Sequence, residues 1–202
     1  MGTMAKTKKP RLAAPNARTV FNFAEAFSNA ASLLAPMFRQ AAIPLTAGHI
    51  PPKGWGTHID DSAMTVPLMV NDSFSLELYL KCLHIMDYNV SPKGHDTYTL
   101  FRNLRLRTRQ RIRKNYAKEL EKASPQLSTM PKRKRSYFTN LRAYMKGSSR
   151  TFEQVRYLFE RSTLEKPPGL RYWPQFRLAV RQSILDVMPE WACATLPTSR
   201  VH

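Results

Sequence analysis

Apolar residues recur at three- and four-residue steps over most of the chain, which is the spacing of an amphipathic α-helix. No stretch shows sustained apolar–polar alternation between hairpin turns, the pattern of a β-strand. The sequence therefore predicts an all-α protein. Its first helix is expected over residues 19–34, with an end at Pro36 and with these inward-facing residues: Val20, Phe23, Phe27, Ala30 and Leu34.

The next segment, 41–67, contains four prolines and three glycines. Because both residue types disfavour the interior of a helix, we predict a long Pro/Gly-rich loop here, with a second helix beginning near Pro67. That helix is apolar on most sides, which is typical of a helix at the centre of a bundle. Its one polar stripe is formed by Glu77, Lys81 and His84, and Glu77 precedes Lys81 by the four residues of a helical ion pair.

Asp96 is a good N-cap for a third helix, which we expect to continue to Ser124. Its inward seam would be Phe101, Leu104, Thr108, Ile112, Tyr116 and Leu120. Three shorter helices follow, near 137–147, over 151–161 and before Pro189; the last would bury Trp173, Phe176, Val180, Ile184 and Val187. We thus predict a single helical bundle of about five to six helices over 19–190, with a basic disordered arm at 1–18 and a tail at 191–202.

Charge adds a functional expectation. The chain has 32 Lys and Arg against 14 Asp and Glu, a net charge of +18, and residues 102–146 hold 15 of the basic residues and only two acidic ones. A field concentrated in this way attracts polyanions. The predicted nucleic-acid surface consists of Arg105, Arg109, Arg113, Lys132, Arg133, Lys134 and Arg135. A solvated face that keeps the protein soluble, or a contact with an acidic partner protein, has the same sequence pattern.

Other features exclude classes of protein. No apolar run reaches the roughly 18 residues of a membrane span, and the two cysteines have neither pairing nor ligand spacing, which favours the reducing cytoplasm. Glycine-rich phosphate loops and paired-carboxylate motifs are missing, so no cofactor is predicted. A metal is not expected either, because the spacing of the nearest candidate ligands fits no known motif: His49, His58, Asp60 and Asp61.

Three segments of the sequence resemble the HEPN domain, a helical bundle common in prokaryotic defence and toxin–antitoxin proteins. They are the run 66–83 (VPLMVNDSFSLELYLKCL), the turn Gly94-His95-Asp96 that opens the next helix, and the run 152–160 (FEQVRYLFE). They occur in the expected order, and the resemblance covers roughly residues 60–190. It implies an up-and-down helical core, a homodimer and a role with RNA.

The ribonucleases of that family use an Arg followed about four to six residues later by a His on a late helix. Here Arg161, Ser162 and Thr163 stand downstream of Arg156, where the His would fall. We therefore expect a protein that binds RNA or a nucleotide without the standard catalytic pair. One alternative is a divergent, metal-independent endoribonuclease that uses Arg156 with Glu77 or His84 as base. Another is a non-enzymatic subunit that neutralises an acidic partner protein.

Two clusters have both a functional and a structural interpretation. An inner polar pocket for a phosphate or nucleotide would consist of Glu77, Lys81, Arg156 and Glu160. The same four residues would equally well satisfy one another as buried ion pairs. His95 and Asp96 resemble a catalytic pair, but adjacent residues rarely point at each other, so an Asp96 cap with His95 packed on the turn explains them more simply.

Overall fold

A computed structural model of the chain describes residues 16–46, 59–125, 140–148 and 173–193. Within these ranges the protein is an all-α bundle without strands, so the predicted fold class is confirmed. A short 3₁₀-helix, Pro189–Cys193, closes the described part of the chain. The α-helices are α1 (Ala17–Thr46), α2 (Ile59–Tyr88), α3 (Thr97–Arg102), α4 (Leu106–Ala123), α5 (Leu141–Ser148) and α6 (Trp173–Leu185).

Helix α2 lies at the centre of the bundle, as its apolar circumference predicts. Helix α1 packs along it over a long contact, while α3 and α6 pack against it from other directions. Leu76, Tyr79 and Leu80 are completely buried in this contact region. Helix α4 packs mainly on α6, which leaves α4 at the periphery of the bundle with a wide face in solvent.

The buried face of α1 agrees with the prediction at Val20, which lies in the core, but differs from it at other positions. Phe21 and Ala24 are fully buried, whereas Phe23, which was predicted to face inward, is 59% exposed. The Phe21 ring packs against Tyr79 and Trp191, with ring centroids 5.9 and 5.3 Å apart. Two residues along a helix point roughly 200° apart, so Phe21 and Phe23 belong to different stripes. Periodicity alone does not choose between two apolar stripes; the position of α2 does.

Both helix ends predicted from prolines are wrong. Helix α1 continues through Pro36 and Pro44 to Thr46, and α2 begins at Ile59 with Pro67 inside it. The segment 41–67 is therefore helical at both ends, and residues 47–58 lie outside the described ranges. A proline inside a helix costs roughly 3 kcal/mol because a backbone hydrogen bond is lost. The long α1–α2 contact compensates for this cost, since tertiary packing supplies most helical stability in proteins.

The single helix predicted from Asp96 to Ser124 is in fact two helices. Asp96 caps α3 as predicted, because its side chain accepts a hydrogen bond from the Thr99 backbone N–H. Helix α3 then ends, and the extended backbone of Arg105 (φ −56°, ψ 148°) separates it from α4. The predicted inward seam is nevertheless confirmed, since all six of its residues are buried: Phe101, Leu104, Thr108, Ile112, Tyr116 and Leu120.

The C-terminal part of the bundle extends beyond the boundary predicted at residue 190. Trp191 is buried against Phe21, and Arg18 lies over the Trp191 ring with its Cζ 5.2 Å from the centroid. Val187 was predicted to face inward but is 43% exposed, because α6 ends at Leu185 and the chain turns there. The predicted arm (up to residue 15), the predicted helix over 151–161 and the rest of the tail lie outside the described residues.

Candidate functional site

The predicted nucleic-acid surface falls partly on described residues. Arg105, Arg109 and Arg113 follow one another at four-residue steps along one flank of α4, so they form a single stripe. Arg105 and Arg113 are exposed and Arg109 is half-buried. The other predicted members, Lys132 to Arg135, lie outside the described residues.

A second basic stripe on α4 was not part of the predicted site. Its members are spaced by three or four residues and face α6: Arg111, Lys114, Lys118 and Lys122. Lys114, Lys118 and Lys122 are exposed. Their helical spacing was visible in the sequence, but only the packing of α4 on α6 shows that they border a groove.

The groove between α4 and α6 has a volume of about 450 Å³ and combines this stripe with polar side chains of α6. Asn115 fixes the two helices together, because its Nδ2 donates to Ser183 Oγ at 3.0 Å and to Asp186 Oδ2 at 2.8 Å. Arg111 Nη1 also donates to the Ser183 carbonyl at 3.4 Å. The floor of the groove is thus held by hydrogen bonds, while its rim is cationic.

Asp186 moderates the positive charge of the groove. Partial burial acts to raise the pKa of Asp186, but hydrogen bonds from Asn115 and Gln182 and the charges of Arg111 and Lys118 lower it overall. Asp186 is therefore a carboxylate at neutral pH and offsets one cation. The remaining cations of the stripe exceed what Asp186 and Glu119 neutralise.

Few of the cations on α4 have ionic partners. Among the described residues, the ion pair that α4 makes joins Lys122 Nζ to Glu119 Oε1 at 2.7 Å, on the surface of the helix itself. Arg107, Arg113, Lys114 and Lys118 are exposed and have no carboxylate within ion-pair distance in that part of the chain. The solvent face of α4 is therefore a run of uncompensated positive charge.

Two of the four residues predicted to form the inner pocket, Glu77 and Lys81, are among the described residues. Glu77 is completely buried, and its Oε1 lies 2.8 Å from Lys81 Nζ, so the predicted ion pair within α2 is confirmed. The structure adds His95, whose Nδ1 lies 2.9 Å from the same Glu77 oxygen. Glu77 Oε2 has no hydrogen-bond partner among the described residues. The other two predicted members, Arg156 and Glu160, lie outside those residues.

His84, the other predicted base, does not join the Glu77 cluster. Its Nδ1 lies 3.4 Å from the Val90 carbonyl oxygen, and its ring packs against Tyr88 with centroids 4.9 Å apart. His95 is the imidazole that reaches Glu77 instead. No spacing signal predicts this contact, because the two residues come from α2 and from the turn before α3.

Sequence reasoning missed a third charged cluster, which joins α6 to α1 and α2. Arg181 forms two hydrogen bonds with the Glu25 carboxylate, at 2.7 and 2.9 Å, and Tyr79 donates its hydroxyl to Glu25. Arg177 Nε lies 2.8 Å from Asp72 Oδ1, at an angle that is not that of a hydrogen bond. All five side chains lie in helices that the hydrophobic pattern predicts, but that pattern says nothing about which charges meet.

Burial and pairing together set the ionisation of this cluster. Burial raises the pKa of Asp72, and the charge of Arg177 only partly opposes this effect. Hydrogen bonding to Glu25 raises the pKa of Arg181 against the effect of burial, so Arg181 stays charged. Arg177 also donates through Nη1 to the Ser28 carbonyl at 3.2 Å and to the Ser28 hydroxyl. These interactions hold α6 in place rather than offering a site to a ligand.

Two further findings concern metals and membranes. Across the described ranges, no three His, Cys, Asp or Glu side chains come together as they would around a metal ion. His49 and His58 lie outside those ranges. None of the described helices combines the length and the apolar character that crossing a membrane requires.

Neither a family model, a characterised protein nor a solved structure matches the chain. The resemblance to the HEPN domain therefore rests on the sequence motifs alone.

Proposed function

We propose that this protein binds RNA along α4, as a HEPN-like helical bundle without the ribonuclease pair of that family. Its setting would be prokaryotic defence or toxin–antitoxin activity, as the sequence resemblance implies. The observation that carries the proposal is the run of exposed cations on α4 that have no carboxylate partner among the described residues: Arg107, Arg113, Lys114 and Lys118.

This run of like charges destabilises the folded state. Like charges four residues apart destabilise a helix by a few tenths of a kcal/mol per pair, and α4 carries several such pairs. A helix selected only for solubility would alternate acidic and basic residues, as the Glu119–Lys122 pair does locally. The retained repulsion is explained if phosphates neutralise it in the bound state.

RNA suits this surface better than an acidic protein does. Four of the seven basic residues in α4 are arginines, whose planar guanidinium matches the geometry of a phosphate. The helix is about 27 Å long at 1.5 Å per residue, so its two stripes offer cations to several consecutive phosphates. A linear array of this kind fits a linear polyanion.

The test is fluorescence anisotropy with a labelled single-stranded RNA of about 12 nucleotides over a series of salt concentrations. The first variant combines Arg107→Gln, Lys114→Gln and Lys118→Gln. The control combines Thr19→Glu, Asn22→Glu and Asn29→Glu, which changes the net charge by the same three units on the exposed face of α1.

We expect the α4 variant to bind at least about tenfold more weakly. The slope of log K against log salt should become shallower by about 2, because three phosphate contacts are lost. The α1 control should bind nearly as the wild type does. Equal losses in both variants would show attraction by net charge alone, and would refute the α4 interface. Failure of the wild type to bind RNA would refute the proposed function.

A second candidate function, cleavage of the bound RNA, is favoured by the contact between Glu77 and His95. The buried Glu77 carboxylate orients the imidazole through Nδ1, and His95 is half exposed, as an acid–base group in contact with substrate has to be. A denaturing-gel time course with labelled RNA tests this candidate. Product that disappears in His95→Ala but persists in His84→Ala would establish cleavage at His95. Intact RNA throughout would rule it out.

A further inference from the structure

An exposed aromatic side chain lies where the C-terminal end of α2 contacts the N-terminal end of α4 in space. Tyr88, the last residue of α2, keeps 41% of its surface in solvent. Exposed apolar side chains accompany it in the chain: Val90 follows two residues later, and Leu106 is the first residue of α4. An apolar group that stays exposed beside a strongly charged surface is available to a ligand that binds that surface.

Two cationic or polar groups border the Tyr88 ring. The Arg105 guanidinium carbon lies 5.2 Å from the ring centroid, within the range of a cation–π interaction. The His84 ring lies 4.9 Å away at an angle of 48°. We call Tyr88, Arg105 and His84 the Tyr88 cluster. Tyr88 and His84 lie on α2 and Arg105 is the cap residue of α4; Tyr88 and Arg105 are exposed, and His84 is half-buried.

Asp87 fixes the position of this cluster. Its Oδ2 accepts a hydrogen bond from the Arg105 backbone N–H at 2.9 Å, and its Oδ1 accepts one from the Thr108 hydroxyl at 2.8 Å. Asp87 thus caps the N-terminus of α4 from the end of α2, where a negative charge also suits the helix dipole. The ring and the guanidinium are held together by a rigid connection between two helices.

The cluster is continuous with the first basic stripe of α4. Arg105 belongs to both, and Arg109 and Arg113 follow at steps of about 6 Å along the helix axis. Arg109 Nε is buried and has no hydrogen-bond partner among the described residues.

We propose that the Tyr88 cluster is a stacking site for an unpaired base of single-stranded RNA whose phosphates follow Arg109 and Arg113. This inference rests on the proposed function and names its substrate class. Every base has a π-face that stacks on an aromatic ring or a guanidinium plane, so the site tolerates different sequences. Bases in a duplex are already stacked and do not reach it. The site therefore selects single-stranded over double-stranded RNA.

The test compares Tyr88→Ala and Tyr88→Phe with Phe23→Ala, which removes an exposed aromatic ring from α1. Anisotropy is measured with a single-stranded RNA of 12 nucleotides, an oligonucleotide of the same length without bases, and a duplex RNA. Circular dichroism establishes that each variant is folded.

We expect Tyr88→Ala to bind the single-stranded RNA about 5- to 100-fold more weakly, because one stacked base is lost. Its salt dependence should equal that of the wild type, since no phosphate contact changes. Tyr88→Phe and Phe23→Ala should both bind as the wild type does. The baseless oligonucleotide and the duplex should not distinguish Tyr88→Ala from the wild type.

Other outcomes separate this inference from the proposed function. If Tyr88→Ala binds single-stranded RNA normally while neutralisation of α4 weakens binding, the stacking site is wrong and the α4 interface stands. An equal loss on the baseless oligonucleotide would also overturn stacking, because no base is present to stack. If the wild type binds none of the three probes, the proposed function itself fails.

Discussion

Arginines occur in two opposite circumstances in this protein. On α6, Arg177 and Arg181 meet carboxylates of α2 and α1, and Arg177 is only 7% exposed. On α4, arginines and lysines of the outer face point into solvent without such partners among the described residues. The same side chain thus connects helices in one region and creates an electrostatic field in the other.

The difference between α6 and α4 separates the charges that stabilise the fold from the charges that are available for binding. A buried charge needs an opposite charge or hydrogen bonds beside it, so its partner is part of the folded structure. If one residue of a buried ion pair is removed, the remaining charge stays buried in a low-dielectric interior without a partner. A solvent-facing charge needs no partner for folding, and its pairing is worth little. The four predictions below test this division, beginning with the largest expected effect.

The largest effect is expected from removing a buried cation. Arg177→Met should lower the free energy of unfolding by about 3–5 kcal/mol, because Asp72 would stay buried without a counter-charge and the Ser28 carbonyl would lose a donor. Urea unfolding measures this loss. The double variant Asp72→Leu with Arg177→Met should be markedly more stable than Arg177→Met alone. A double variant that is no more stable would contradict the account of an uncompensated charge.

A smaller effect is expected at the junction between the two regions. Asp87→Ala removes the acceptor of the Arg105 N–H and of the Thr108 hydroxyl, so it should cost about 1–2 kcal/mol, as loss of a helix cap does. It should also weaken RNA binding, since Arg105 would no longer be held over Tyr88. Thermal unfolding and anisotropy measure the two effects. For comparison, Asp96→Ala removes the cap of α3 and should lower stability without affecting RNA binding.

Alkaline pH should destabilise the buried region through Cys82. Burial raises the pKa of the Cys82 thiol from its ordinary value of 9.0 to about 12, so the folded state holds this proton more tightly than the unfolded state. The associated stability is complete below pH 9 and is lost as the pH rises from 9 towards 12. At pH 10 the loss should be on the order of 1 kcal/mol. Urea unfolding at pH 8 and pH 10 measures it.

Cys82→Ala provides the control for that prediction, because it removes the thiol but retains Tyr79, whose pKa burial also raises. The variant should lose less stability than the wild type between the two pH values. Identical losses would assign the pH dependence to other groups.

The smallest effect on stability is expected where the charge is greatest. The α4 variant with Arg107→Gln, Lys114→Gln and Lys118→Gln should change the free energy of unfolding by less than about 0.5 kcal/mol, or raise it slightly. These cations repel one another, and the attraction of Lys118 to the exposed Asp186 is weak in solvent. Urea unfolding at low and high salt measures the change. A loss of more than 2 kcal/mol would mean that these residues belong to the fold, and the division between the two regions would not hold.

The candidate site was predictable to different degrees. The stripe of Arg105, Arg109 and Arg113 follows from four-residue spacing on a helix, so the sequence located it. The second stripe of α4 is also visible in the spacing, but only the packing of α4 on α6, where Asn115 meets Ser183 and Asp186, shows that it borders a groove. The Tyr88 cluster was not predictable, because it depends on Asp87 joining the end of α2 to the start of α4, which the sequence merged into one helix beginning nine residues earlier.

The sequence by itself determined the helical class, the inward seam of α3 and α4, the Asp96 cap, the ion pair of Glu77 with Lys81, and the concentration of positive charge. Each of these depends on residues within about one or two turns of one another, where periodicity and capping act. Tertiary structure decided which stripe of α1 is buried, that Pro67 lies inside a helix, and which distant charges meet. Those outcomes depend on packing between helices far apart in the chain, whose free energy exceeds the local preferences that the sequence displays.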